Sequence, residues 1–171
     1  MVREQKEQKL IENFKMTLLK HDYIDTKFRV NFGRNTKDFA DVEFVSKEGE
    51  YIVLEAKTHH TRDAHNTYHK LFGELLKETG KNTHIRSKFQ GKLSYGILIP
   101  DDACDIDYVP KDDGMTFYQK QFNNIPQEIF KKFGNLVNAK YVFVYSENKQ
   151  KIKIYTWMGF YNNEKPLRIL N

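Results

Sequence analysis

The sequence predicts an α/β fold in which a mixed central sheet lies between helical layers, an α/β/α arrangement. Three observations lead there. The apolar period changes along the chain in the order α-β-β-β-α-β, then α-β-β. The first three strand-like runs follow one another with only short turns between them, as a meander does. A short apolar run at residues 93–99, Leu-Ser-Tyr-Gly-Ile-Leu-Ile, ends at Pro100, as expected of a central strand buried on both faces.

Each element has a local cause. Residues 4–20 read as a helix because Glu7, Leu10, Ile11, Phe14 and Leu18 recur at three- and four-residue spacing. Residues 27–32 alternate through Phe28, Val30 and Phe32 and end in the turn Gly33-Arg34-Asn35. A second strand is expected over 38–45, with Asp41 in its middle, and a third over 51–57, separated by the turn Lys47-Glu48-Gly49-Glu50. Helical period returns over 63–79 through Tyr68, Leu71, Phe72, Leu75 and Leu76, with Gly80 just past the end. A basic loop over 81–92 leads into the apolar strand. Residues 117–133 read as a helix broken at Pro126, and two last strands are expected over 140–145 and 151–157.

Composition bounds the function classes. A chain of 171 residues with 39% apolar and 14% aromatic residues fits one domain, with residues 4–100 as its core and 101–171 completing the sheet. Such a domain buries about 70% of the surface of its unfolded chain. Disorder is excluded by the aromatic content. No apolar run approaches the ~20 residues of a membrane span, the charged start does not resemble a secretory leader, and Cys104 has no second cysteine to pair with. A cytoplasmic protein with no membrane partner is the expectation. The net charge is +5, and residues 101–113 hold six Asp against one Lys, so the rest of the chain is more basic than the total. That balance is compatible with a polyanionic partner.

The informative residues sit on the second and third strands: Phe39-Ala40-Asp41-Val42-Glu43-Phe44 and Ile52-Val53-Leu54-Glu55-Ala56-Lys57. Side chains alternate faces along a strand, so Glu55 and Lys57 point the same way, as do Asp41 and Glu43. Ile52, Val53 and Leu54 are apolar in succession, so the third strand is buried on both faces up to its charged end. The intervening hairpin brings Asp41 beside Glu55 or Lys57. Two close carboxylates repel and drift toward protonation unless a cation lies between them. A hard dication such as Mg2+, with Mn2+ as a substitute, suits such a pair. It lowers the pKa of bound water and neutralises phosphate charge, while a neighbouring ammonium orients or helps deprotonate the attacking water. The same Glu-x-Lys also arises as an exposed ion pair at a strand edge.

Asp41, thirteen intervening residues and Glu55-Ala56-Lys57 resemble the PD-(D/E)xK nuclease superfamily, the restriction-endonuclease-like fold, over residues 4–100. Ala40 stands where the superfamily's name has Pro. The resemblance implies an αβββαβ core with a C-terminal helix and two strands added. It also implies Asp41 and Glu55 as metal ligands, with the Ala56 backbone carbonyl beside them, and Lys57 as the catalytic lysine. Members often add an acidic residue from the first helix. Glu7 continues the apolar face one turn before Leu10, Glu12 is favoured by its distance from Leu18, Leu19 and Tyr23, and Glu43 is the strand alternative. The implied activity is that of a metal-dependent DNA endonuclease, restriction-like or serving a phage, mobile element or repair. Its partner is duplex DNA, and members usually work as homodimers. An RNase or single-strand nuclease with the same site, or a non-catalytic binding module, are the alternatives.

Basic and imidazole side chains supply candidates for nucleic-acid contact: Arg34 in the first turn, His59, His60 and Arg62 after the third strand, His69 and Lys70 on the second helix, and Arg86 and Lys88 in the basic loop. His65 and His69 are four residues apart, which also raises zinc, but Asn66 stands where an H-E-x-x-H motif has Glu.

Overall fold

All six residues of the strand Tyr51–Ala56 (β3) are buried, so both faces of this strand need covering and both edges need partners. The computed structural model, which describes residues 2–28, 31–32, 38–58, 64–101 and 114–171, supplies both. On one edge β3 pairs antiparallel with Val42–Val45 (β2), from Val42 opposite Leu54 to Val45 opposite Tyr51. The turn between them places Gly49 at φ 82°, in the left-handed region that glycine enters without steric cost. On its other edge β3 pairs parallel with Leu93–Pro100 (β4), from Tyr51 opposite Leu93 to Ala56 opposite Leu98. A parallel pair needs a crossover, and the helix Ala64–Glu78 (α2) with the short helix His84–Ser87 (α3) provides it.

The sheet grows outward in chain order. Asn31–Phe32 (β1) pairs with β2. Beyond β4, Ala139–Ser146 (β5) adds in parallel after the crossover helices Gly114–Asn123 (α4) and Gln127–Val137 (α5). Lys151–Thr156 (β6) and Arg168–Leu170 (β7) follow antiparallel, with Trp157–Tyr161 (α6) between them. The result is a mixed seven-stranded sheet in the order β1 to β7.

Alternation sorts the side chains to two cores. Ile52, Leu54 and Ala56 pack with Leu10, Ile11, Phe14 and Leu18 of Val2–Lys20 (α1). Val53 and Tyr51 pack on the other face with Leu71 and Leu75 of α2, Tyr118 and Phe122 of α4, Phe130 of α5 and Trp157 of α6. Phe130 and Trp157 stack with centroids 4.6 Å apart, and Trp157 Nε1 donates to the Phe130 carbonyl at 3.1 Å. Gly134 lies flat against the same indole, where a Cβ would stand 2.5 Å from Trp157 Cδ1. No helix among the described residues is long and apolar enough to cross a membrane.

Several expectations need correction. The strand expected over 38–45 begins only at Val42, so Asp41 sits immediately before β2 and not in its middle. The cause is local: the Ala40 amide donates to Glu43 Oε1 at 2.9 Å, which bends the chain out of the ladder. Described strand in the 27–32 region is confined to β1. The basic loop carries α3, capped by Thr83. The helix broken at Pro126 is α4 followed by α5, with Pro126 at the second N-cap. Among the described residues the C-terminal part adds three helices and three strands, where one and two were expected. Of the acidic stretch only Asp101 is described, paired with Lys153 at 3.0 Å.

Candidate functional site

The β2–β3 register sets the site. Continued by one residue past Val42 and Leu54, it puts Asp41 opposite Glu55. Of the two alternatives the hairpin left open, Glu55 is therefore Asp41's cross-strand neighbour. Both carboxylates are 7% exposed. The Ala56 amide donates to Asp41 Oδ2 at 2.9 Å, tying Asp41 to the end of β3. Glu55 hydrogen-bonds to Asp41, and its carboxyl is pushed up to about 10, first by burial and then by the charges of Asp41, Glu78 and Glu74. With the Glu55 carboxyl raised that far, this pair holds a proton at neutral pH.

Lys57 lies one residue beyond β3 and is 6% exposed. Its backbone amide still donates to the Leu98 carbonyl at 3.0 Å, continuing the ladder toward β4. Tyr118 OH donates to the next carbonyl, Thr58, at 3.2 Å, so the chain is held on both sides of the ammonium. The ammonium itself bridges two helices: Nζ is 2.9 Å from Glu74 Oε2 on α2 and 3.5 Å from Glu7 Oε2 on α1. Burial alone would lower the lysine's pKa. The carboxylates of Glu7, Glu74 and Asp41 outweigh burial and raise it. In its present surroundings the ammonium is stabilised. Glu7 is itself raised, by burial first and by Asp41 and Glu74, with Lys57 opposing.

Of the three acidic candidates for joining the site, the fold brings up Glu7. Glu12 is exposed and accepts a hydrogen bond from Gln8 Nε2 at 3.1 Å. Glu43 is fully buried and already saturated, with Arg86 Nη2 on Oε1, Tyr51 OH on Oε2 at 2.5 Å and the Ala40 amide on Oε1. Its work is structural.

Arg86, expected to touch nucleic acid, is 1% exposed and cannot. Besides Glu43, its Nη2 meets Glu78 Oε2 at 2.8 Å and its Nη1 donates to the Glu78 carbonyl at 3.1 Å. His69, Lys70 and Lys88 are exposed, as a contact surface requires. The ring of His69 lies 4.8 Å from that of Tyr68. Arg34, His59, His60 and Arg62 lie outside the described residues.

Two functional candidates escaped the sequence argument, Glu74 and Glu78. The signal was present: Leu71, Leu75 and Glu78 follow one another at four- and three-residue spacing, so a carboxylate continues the apolar stripe of α2. Glu74, next to that stripe, reaches the ammonium.

The donor chemistry fits a hard dication. Asp41 and Glu55 offer adjacent oxygens at the end of a rigid strand, and Mg2+ is commonly held by one or two carboxylates with waters completing its shell. Among the described residues no group of three or more His, Cys, Asp or Glu side chains is arranged to hold a metal ion. Comparison with protein-family models, with curated proteins and with solved structures finds no match to this chain.

Proposed function

We propose that this protein is a Mg2+-dependent endodeoxyribonuclease with a restriction-endonuclease-like core. The observation that carries the reading is the meeting of Asp41, Glu55 and Lys57 at one buried strand end, with the two carboxylates side by side and the ammonium held by carboxylates from both flanking helices. Asp41 and Glu55 would hold the ion, with the Ala56 carbonyl beside them and Glu7 as the first-helix contributor. Bound there, the dication neutralises phosphate charge and acidifies a coordinated water.

The chain's own groups do the rest. The Ala56 amide keeps Asp41 aimed. With a dication held there, Glu55 would bind it as the carboxylate. Lys57, held by Glu74 and Glu7, would orient the attacking water and stabilise charge on the phosphate oxygens. Exposed Lys70, His69 and Lys88 contact the backbone of a duplex. Two copies related by a two-fold axis would cut both strands.

The test is incubation with supercoiled plasmid, with and without Mg2+ or Mn2+, beside Lys57→Ala. Ion-dependent nicking or linearisation that the variant lacks is the expected result. Cutting retained by Lys57→Ala would overturn the assignment. Turnover of RNA or single strands alone would move the substrate class while keeping the site. Salt-sensitive binding with no turnover on any substrate would make this a binding module.

A further inference from the structure

A cleft of about 360 Å3 is lined by Asp38, Phe39, Lys81, Asn82, Thr83 and His84. That volume is at the small end of ligand pockets, which run from about 300 to 1,000 Å3. Its two walls, the segment before β2 and the segment around α3, are tied together. Lys81 Nζ donates to the Phe39 carbonyl at 3.4 Å and pairs with Glu78 at 2.5 Å. Beneath them, buried Arg86 joins Glu43, which holds the Ala40 amide, to Glu78 and to the Lys81 carbonyl at 3.5 Å. The Arg86 amide also donates to Thr83 Oγ1 at 3.2 Å. Burying an arginine with two glutamates carries a desolvation cost that only good geometry and further hydrogen bonds repay; here Arg86 links residues of both walls.

The cleft is close to the chemistry. Phe39 is two residues from Asp41, so their Cα atoms are at most about 7 Å apart, whereas a stacked strand advances about 3.4 Å per nucleotide. A base one or two positions from a phosphate at Asp41 reaches the cleft. The lining also says what kind of group belongs there. The ammonium of Lys81 is committed to Glu78 and the Phe39 carbonyl, so the cleft does not offer it freely to a phosphate. The other residues that line it include two aromatic ones, Phe39 and His84, with Asp38 and Asn82 beside them. Aromatic rings stack bases without regard to sequence. An ionised carboxylate only accepts hydrogen bonds, and so pairs with an exocyclic amino group as it does with cytosine N4.

We propose that this cleft binds one unstacked nucleobase bearing an exocyclic amino group, stacked by Phe39 and His84 and read by Asp38 and Asn82. The proposal rests on the nuclease reading for the strand that supplies the base. Thymine and uracil present a carbonyl where the amino group stands in cytosine, and its oxygen would face the carboxylate.

The experiment is fluorescence anisotropy with end-labelled single-stranded hexamers of deoxycytidine, deoxyadenosine and thymidine, in EDTA at fixed salt. The expected result is binding of the first two at least about 5-fold tighter than thymidine, a low estimate for a contact read by stacking and hydrogen bonding. His84→Ala weakens all three, and Asp38→Ala brings the first two down to thymidine. Both residues are exposed, so both variants should fold, which circular dichroism verifies. Equal affinity for the three hexamers, no detectable binding, or a preference that survives Asp38→Ala overturns the proposal. Plasmid digestion separates it from the nuclease reading: cutting without base preference removes the cleft's role alone, and base-selective binding without cutting removes the nuclease alone.

Discussion

The ammonium of Lys57 stands 2.9 Å from Glu74 Oε2, so the lysine at the end of β3 is anchored by a carboxylate of α2. A flexible four-carbon side chain has several staggered conformers at each bond, and the pairing selects one. Glu74→Gln keeps a hydrogen-bond acceptor but removes the charge. The expected outcome is a cleavage rate lowered by about 10-fold, one order of magnitude for a misplaced catalytic group. Lys57→Ala is expected to lose about 10²–10⁴-fold, the range of a proton-transfer or orienting group. Single-turnover plasmid nicking measures both, and a Glu74→Gln rate equal to wild type would show that the anchor is dispensable.

Arg86 is a structural cation. Arg86→Met leaves Glu43, fully buried, and Glu78, nearly so, without their guanidinium partner. Breaking a buried ion pair from one side costs about 3–5 kcal/mol, and urea unfolding should show a matching fall in stability. The double variant Glu43→Leu with Arg86→Met is expected to recover part of the loss, because it removes the stranded charge as well. A single variant of wild-type stability would contradict the burial.

The Asp41–Glu55 pair makes stability depend on pH in a definite direction. The Glu55 carboxyl is raised from 4.5 to about 10 in the folded chain, with burial as the main cause and Asp41 next. Between those values the folded state holds a proton that the unfolded state has lost, so stability falls as pH rises through the window. Glu55→Gln cannot titrate there. The difference in melting temperature between Glu55→Gln and wild type, measured without divalent ions, should therefore widen in the variant's favour from pH 5 to pH 9. Adding Mg2+ at pH 8 should raise the wild-type midpoint by mass action and leave Glu55→Gln unmoved.

Most of this architecture could be read from the residues, because period and burial are coupled. The apolar succession Ile52-Val53-Leu54 demands a strand covered on both faces, and β3 lies between the two cores. The break at Pro126 follows from proline chemistry. What could not be read is short or depends on distant partners. Five residues of α6 are too few for a period, and that helix is held by its Thr156 cap and by packing of Trp157. Three-residue β7 exists because β6 offers an edge. At the site, the carboxylate pair followed from hairpin register, while Arg86 read as a surface cation because nothing local announces a buried partner 43 positions away. Glu7 was separable from Glu12 by helix face alone: it lies three and four residues before Leu10 and Ile11, whose side chains are buried, whereas Glu12 is turned to solvent.

Exposed Lys70 on α2 and Lys88 after α3 are the described lysines expected to contact the DNA backbone. Each phosphate contact releases counterions and contributes about 0.9 to the slope of log affinity against log salt. In a Lys57→Ala background, expected to bind without cutting, Lys70→Ala and Lys88→Ala should each weaken duplex binding regardless of sequence and reduce that slope by about one. Lys132→Ala is the control: this lysine is exposed on α5 and lies 3.5 Å from Glu128, one turn away on the same helix. Its loss removes a positive charge from the protein without removing a proposed contact, so it should leave the slope unchanged. Equal slopes in all three variants would mean that net charge alone draws the DNA in. The interface would then have to be sought away from α2 and α3, and the exposure of Lys70 and Lys88 would be no more than ordinary solvation of a helix and a turn.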